Sequence, residues 1–358
     1  MSLCTALKGN AWILSAIRAC STTAENARLL DQDGPDLPQL LLDCFLKLER
    51  KENDTFRSKH LLRGRKSFPH IYGGQVVAQA LKSATETVDT SLSPHSMHCY
   101  FVKAGSVLEP VDYHVERIRD GKSFSTRLVR AKQNDDILFT AQASFQVLCF
   151  CFIRTQNSNP KNHEESSHME HQTKVRLPEG PDGLLDARTL MSKSLKEAQN
   201  DKLTPAQLFM AYKLAEFPPT FHRIFEARPV NQNVYKPDLN GPLHSTTYDM
   251  WIKPVLNIGD DKLSHQYMAA YISDSTMVET AIIPHLAQGF VVGMAFSLDH
   301  CIWFHRTKFN MNDWMLWEQK SDFAGGSRTH TIARLWSRAG ELLMTAVQEG
   351  VARAPLKK

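Results

Sequence analysis

The feature that most constrains this 358-residue chain is that its second half repeats its first. His98-Cys99, followed by Tyr100-Phe101, answers to His300-Cys301, followed by Ile302-Trp303-Phe304, at an offset of 202. Gly121-Lys122-Ser123, a strand pattern, a turn and 137–145 (ILFTAQASF) answer to Gly326-Ser327-Arg328, a strand pattern, Ala339-Gly340-Glu341 and 342–350 (LLMTAVQEG), now at an offset of 205. Thr140-Ala141 falls on Thr345-Ala346 in the same register. Similarity that keeps both order and spacing over such a length reads as an internal duplication, and so as two units of one architecture.

Each unit has the pattern of a helix followed by antiparallel strands. Residues 37–50 predict an entering helix, with Leu41, Leu42, Phe45, Leu46 and Leu48 crowded to one side. Gly73-Gly74 opens a second, in which Val76, Val77, Ala80, Leu81, Ala84 and Val88 recur at helical spacing and predict one strongly buried face. Strands are expected at 95–103, at 111–118 and at 137–147. In the second of these Val111, Tyr113 and Val115 alternate with Asp112, His114 and Glu116; in the third Ile137, Phe139, Ala141, Ala143, Phe145 and Val147 share a face. Asn134-Asp135-Asp136 is a natural hairpin turn between strands. Without repeated βαβ crossovers, the class is α+β. Residues 154–183 are polar and turn-rich, as in a linker, and helical patterns follow at 184–199 and 204–217, the latter with Thr204 as N-cap and Pro205 at the first helical position. The division expected is 1–36 as a targeting or disordered segment, 37–153 as the N-terminal repeat, 154–220 as a linker with helices, and 221–354 as the C-terminal repeat.

By the repeat register, the helix at Gly74-Gln75-Val76 corresponds to a segment starting near Asp274. Residues 274–283 (DSTMVETAII) read as a helix with Asp274 or Ser275 at its N-cap and Glu279 inside. One helix opens with glycines and its counterpart with a carboxylate, and that asymmetry is the first pointer to a site. On the residues alone, an aspartate ahead of a helix is first of all a cap.

Composition and motifs narrow the function by exclusion. A net charge of +4 gives no support to nucleic-acid binding. Seven scattered cysteines, an odd number with no framework, point to a reducing compartment. Cys149 and Cys151 lack zinc-ribbon spacing, and His265, His285, His300 and His305 lack a ligand pattern, so no metal is expected and the histidines read as packing and hydrogen-bonding groups. No apolar run approaches the roughly 18 residues of a membrane span. There is no G-x-S-x-G, no phosphate-binding G-x-x-x-x-G-K-[ST], no dinucleotide fingerprint and no H-E-x-x-H, so neither a serine nucleophile elbow nor a bound cofactor is expected. Residues 1–24 carry Lys8 and Arg18 among Ser, Thr, Ala and Leu with no acid before Glu25, the composition of a mitochondrial transit peptide. Arg18-Ala19-Cys20-Ser21 resembles a matrix-protease site, while Pro355-Leu356-Lys357-Lys358 is not the Ser-Lys-Leu tripeptide of peroxisomal import.

Eight blocks in order resemble the acyl-CoA thioesterase II (TesB) family, including the peroxisomal acyl-CoA thioesterases of animals. They are Gly73-Gly74-Gln75-Val76-Val77, His95-Ser96-Met97-His98-Cys99-Tyr100-Phe101, Gly121-Lys122-Ser123-Phe124-Ser125, Ala143-Ser144-Phe145-Gln146, Tyr271-Ile272-Ser273-Asp274, Ser297-Leu298-Asp299-His300, Trp303-Phe304-His305 and Val347-Gln348-Glu349-Gly350-Val351. The resemblance implies a double hotdog, two antiparallel sheets each wrapped around a central helix, and a catalytic trio at Asp274, Ser297 and Gln348. It implies an acyl-CoA substrate, a peroxisomal matrix location as the alternative to a mitochondrial one, and a homo-oligomer. The chain departs from the pattern after Gln146: 147–169 intervene before Glu170-His171-Gln172, where the family runs a short polar link.

The implied residues suit the chemistry. A thioester needs an oriented water and a place for the oxyanion, with no obligatory covalent intermediate. Asp274 can act on the water as a base, and Ser297 and Gln348 each bring a donor and an acceptor to hold it. Asp299 is a rival carboxylate, since strand alternation would set it on the face of Ser297. Gly325-Gly326-Ser327-Arg328 reads either as an anion-binding nest or as a plain hairpin turn. Two other readings stay open: an acyl-CoA binding protein without catalysis, and a hotdog dehydratase, which would want a catalytic His or carboxylate on the central helix where Gly73-Gly74-Gln75 stands.

Overall fold

The computed structural model describes residues 46–58, 60–65, 69–147, 171–196, 203–216, 224–234 and 246–355. In chain order the elements are β1 (Glu49–Arg50), β2 (Thr55–Ser58), α1 (Gly73–Thr85), β3 (Leu92–Phe101), β4 (Val111–Asp120), β5 (Phe124–Gln133), β6 (Asp136–Val147), α2 (Ala187–Lys196) and α3 (Pro205–Glu216). They continue as β7 (Phe225–Pro229), β8 (Met250–Pro254), α4 (Lys262–Ser273), α5 (Met277–Leu286), β9 (Met294–Ser297), β10 (Asp299–Phe304), β11 (Met315–Gly325), β12 (Arg328–Ser337) and β13 (Leu342–Arg353).

The strands form one antiparallel sheet in the order β1-β2-β4-β5-β6-β3-β10-β13-β12-β11-β8-β7, with β9 also paired to β13. Read outward from the β3–β10 seam, the two halves have the same order. The seam itself is reciprocal: His98 pairs Cys301 and Cys99 pairs His300, so each residue faces the repeat-equivalent of its neighbour. A duplicated strand pairing antiparallel with its own copy gives this register, and it makes two sheets continuous.

Each half wraps its sheet around helices. Nearly all of α1 is buried, which goes beyond the single buried face expected. Its polar residues are accommodated by hydrogen bonds: Gln75 Nε2 donates to His60 O (2.8 Å) and Gln75 Oε1 accepts from Leu62 N (2.7 Å). Gln79 Nε2 donates to Ser58 Oγ (2.8 Å) while its Oε1 accepts from Tyr113 OH (2.7 Å). Amides paired at both ends can be buried at little cost. In β6 the expected inward face holds from Phe139 to Phe145, but Ile137 is exposed and Leu138 buried. The pairing slips there, from Ala131↔Phe139 to Lys132↔Ile137, and the extra residue Leu138 turns inward as a bulge. The turn before it has Asn134 at φ 52°, a conformation that asparagine tolerates.

Two expectations fail. The segment 46–50 ends as a turn, an irregular stretch and the short strand β1, whose Glu49 and Arg50 pair with Arg57 and Phe56; the rest of the helix expected at 37–50 lies outside the described residues. The helix expected over 274–283 is present but starts three residues later, as α5, so neither Asp274 nor Ser275 is its N-cap. Asp274 is the C-cap of α4, and α5 starts after Thr276, whose φ of 63° ends helical continuity and whose side chain makes no cap bond.

The linker segments dock on the second half. Gln172 donates to Gly340 O (2.7 Å) and accepts from Leu342 N (3.1 Å), which ties the chain to the β12–β13 turn. Residues 147–169 lie outside the description apart from Val147. Thr204 caps α3 as expected, its Oγ1 accepting from Gln207 N (3.3 Å) while Gln207 Oε1 accepts from Thr204 N (3.0 Å). Lys213 of α3 and Glu279 of α5 form a buried ion pair.

Arg127 of β5 fastens the far end of α1. It is fully buried, and its guanidinium donates to Thr87 Oγ1 and O, Arg119 O, Thr126 O and Asp120 Oδ1. Arg127→Met should lower the unfolding free energy by about 3 kcal/mol, because it strands several buried acceptors at once. Urea unfolding measures this; a loss below the scatter of the fit would deny Arg127 that role.

Candidate active site

The break between α4 and α5 places Asp274 beside the N-terminus of α1 from the other half. Its carboxylate accepts hydrogen bonds from Gln348 Nε2 at 2.7 Å and Ser297 Oγ at 3.1 Å, both on Oδ1, and from the backbone N–H of Gly74. The three residues named by the resemblance, up to 74 positions apart in the chain, are thus in direct contact. Asp274 was expected to cap its own helix; it sits instead at the start of α1, where a helix N-terminus favours an anion.

The glycine pair makes this approach sterically possible. A Cβ on Gly74 would lie 2.1 Å from the carbonyl oxygen of Tyr271, and one on Gly73 would lie 2.5 Å from Asp274 Oδ2 and 3.0 Å from Phe101. Both clashes are with the second half or the seam, so the glycines serve contact between the repeats. Tyr72 closes the approach, its OH donating to Tyr271 O at 3.2 Å.

Ser297 ends β9 and Gln348 lies within β13, where pairing slips by one residue between Ser297↔Gly350 and Cys301↔Val347. The rival carboxylate is used at that slip. Asp299 Oδ1 accepts from Glu349 N at 2.7 Å and so mends the irregular ladder, rather than reaching Ser297. Gly326 and Ser327, at φ 58° and 64°, form a tight hairpin turn between β11 and β12, the plainer of the two readings for that segment.

The electrostatics follow from enclosure. Although Asp274 keeps a partly exposed edge, burial pushes its carboxyl up to about 6. The hydrogen bonds from Gln348, Ser297 and Gly74 pull it back only in part. The nearby His300 is completely buried, and desolvation holds its imidazole down at about 3, so it is neutral at physiological pH. The sequence offered no signal for His300 or its partner Ser273 beyond their places in the Ser297–His300 and Tyr271–Asp274 blocks. Among the described residues no cluster of three His, Cys, Asp or Glu is placed to hold a metal, and no helix is long and apolar enough to cross a membrane.

A mirrored pair of helix-filled sheets with a partly buried Asp-Ser-Gln cluster where they meet defines a double-hotdog protein. Two family models match the chain, described as the acyl-CoA thioesterase N-terminal domain over 64–146 and C-terminal domain over 196–352. The human acyl-coenzyme A thioesterase 8 is 37% identical over 319 residues, spanning 89% of this chain and 90% of that protein. A yeast protein, Saccharomyces cerevisiae peroxisomal acyl-coenzyme A thioester hydrolase 1, is 25% identical over 76% of this chain and 83% of its own. The crystal structure of acyl-CoA thioesterase II TesB2 from Mycobacterium marinum superposes with a TM-score of 0.62 at 29% identity, covering 88% of this chain and 98% of that one. The chain belongs to the acyl-CoA thioesterase II (TesB) family of acyl-CoA hydrolases.

Two consequences concern stability. Since the folded pKa of Asp274 is raised, its protonated form favours the native state, and that contribution fades as pH rises through about 6. Asp274→Asn should therefore gain on wild type by on the order of 2 kcal/mol between pH 4 and pH 8; parallel unfolding curves whose difference is flat with pH would contradict the shift. Gly74→Ala should cost about 2–3 kcal/mol, because the Tyr271 carbonyl it strikes is backbone, whereas Gly73→Ala strikes side chains, the Asp274 carboxylate and the Phe101 ring, and should cost less. Thermal melts of the two variants test that order.

Proposed function

We propose that this chain hydrolyses fatty acyl-CoA to free fatty acid and CoA, with Asp274 as general base and Ser297 and Gln348 holding the attacking water. The observation that carries the reading is the buried carboxylate bound directly by both other members of the trio. The water oxygen attacks the thioester carbonyl carbon and its proton passes to Asp274. The positive end of α1, whose Gly74 N–H already donates to Asp274, then favours the developing oxyanion through its dipole. Collapse of the tetrahedral intermediate breaks the C–S bond. The CoA thiolate leaves readily and takes the proton from Asp274, which returns to the carboxylate.

A carboxylate with its pKa near 6 is a stronger base than an exposed one and is still ionised at neutral pH. Burial thus raises basicity without costing the active form.

Several finer points belong to the same proposal. The mirrored strand order supports the division into repeats at 37–153 and 221–354 with a helical linker at 154–220 between them. The name of the yeast relative favours the peroxisomal matrix over the mitochondrion; the residues behind the mitochondrial expectation, 1–36, lie outside the described part. Assembly into homo-oligomers is expected as in the family.

Steady-state release of CoA from acyl-CoAs of several lengths tests the mechanism. Asp274→Asn should lose about a hundredfold or more in kcat with KM little changed. Wild-type kcat should rise with pH through about 6 and then level, since the ionised carboxylate is the active form. Full turnover by the variant would remove Asp274 from the chemistry. Affinity for acyl-CoA without any turnover would establish a binding protein instead.

A further inference from the structure

The proposed trio does not account for the buried polar chain behind it. Ser273 Oγ lies 2.8 Å from His300 Nε2 and also 2.8 Å from the carbonyl of Ala270, while His300 Nδ1 lies 3.3 Å from Gln348 Nε2. All three side chains are buried. A fourth observation bears on Gln348: its Oε1 is buried and accepts a hydrogen bond from none of the described residues. A buried amide oxygen left with both lone pairs open calls for a ligand.

We infer that His300 is a positioning residue for the hydrolysis: held between Ser273 and Gln348, it fixes which way the Gln348 amide faces, so that Oε1 is presented to the attacking water. This rests on the role given to Gln348 above.

The protons can be placed in sequence. The single hydroxyl proton of Ser273 goes to Ala270 O, so toward His300 the same oxygen accepts, and Nε2 of the imidazole carries the hydrogen. Nδ1 is then a bare lone pair and accepts one proton of the Gln348 amide. The other amide proton goes to Asp274 Oδ1. Turning the amide over would set Oε1 against both a carboxylate oxygen and an imidazole lone pair, two repulsions in place of two bonds. The tautomer and the amide orientation determine each other in this way. With the nitrogen committed on both protons, Oε1 is the one acceptor Gln348 has left, and a water donating one hydrogen to it and one to Asp274 would be held for attack.

The backbone fixes His300 as well. It pairs with Cys99 across the seam, and its carbonyl accepts from Cys99 Sγ at 2.9 Å. Ser273 directly precedes Asp274, so one end of the chain of bonds is anchored beside the proposed base. The depressed basicity of the imidazole keeps Nδ1 unprotonated, and so an acceptor, throughout the working range.

A double-mutant cycle tests the inference. His300→Gln keeps an amide near Ser273 but offers nothing in the place of Nδ1; its kcat on acyl-CoA should fall about tenfold with KM little changed. His300→Asn, whose Oδ1 falls where Nδ1 was, should recover part of that loss. In a Gln348→Ala background His300→Gln should cost nothing further, because there is no amide left to orient. Equal losses in both backgrounds, or a change confined to KM or to the melting temperature, would overturn the role. If His300→Gln melts too low to assay, Ser273→Ala replaces it in the cycle: it frees the tautomer and should lower kcat only where Gln348 is present, an additive loss again overturning the role. Gln348→Ala with wild-type turnover would instead overturn the trio itself, so the two failures are told apart.

Discussion

The structure turns on bringing an acid of the second repeat against the helix N-terminus of the first. Placing Asp274 there requires that α4 stop at Ser273, that the chain pass Thr276 with a positive φ before α5, and that α1 open on residues without side chains. Each would be a defect in an isolated hotdog unit. A broken helix loses hydrogen bonds, and a glycine at a helix start loses packing and raises the entropy cost of folding. Together they create a buried carboxylate held by donors from three directions. Local regularity is given up where a site is gained.

The burial has two effects that pull in one direction. Low polarity raises the basicity of Asp274 and suppresses protonation of His300, so the pair divides its work without competing for a proton. The carboxylate is left as the group that can take up a proton near pH 6, as the proposed mechanism requires. The imidazole is left as a fixed neutral group with one donor and one acceptor, which is the state a hydrogen-bonded scaffold needs. Neither condition would survive on an open surface, where solvent would return both groups toward their ordinary titration.

Much of the fold was legible because repeat, alternation and turn chemistry are local or periodic. The faces of β4 and most of β6, the opening of α1 at Gly73 and the cap at Thr204 could be read directly from residue order. What escaped was set by contacts far apart in the chain. Residues 274–283 carry an ordinary helical pattern, and nothing in them reveals that Asp274 belongs to the end of one helix and Thr276 to the start of another. The inward turn of Leu138 depends on a slip against β5, which no pattern within β6 records. The trio was named through family resemblance, since an aspartate, a serine and a glutamine in separate strands and loops have no spacing to betray them. His300 and Ser273 needed coordinates, because their part rests on which atom of a ring or amide faces which neighbour.

The reciprocal seam carries a consequence for stoichiometry. Had both halves kept the same groups, the pseudo-twofold axis through β3 and β10 would generate a second cluster. At the repeat offsets of 202 and 205, however, Asp274, Ser297 and Gln348 fall on Tyr72, His95 and Ala143. One half contributes the glycine-opened helix and the other the acid and its partners, and neither holds a full complement. Duplication has therefore divided the labour: symmetry survives in the sheet and is lost at the centre, where among the described residues the second repeat alone holds Asp274, Ser297 and Gln348 and the first supplies the helix end that they face.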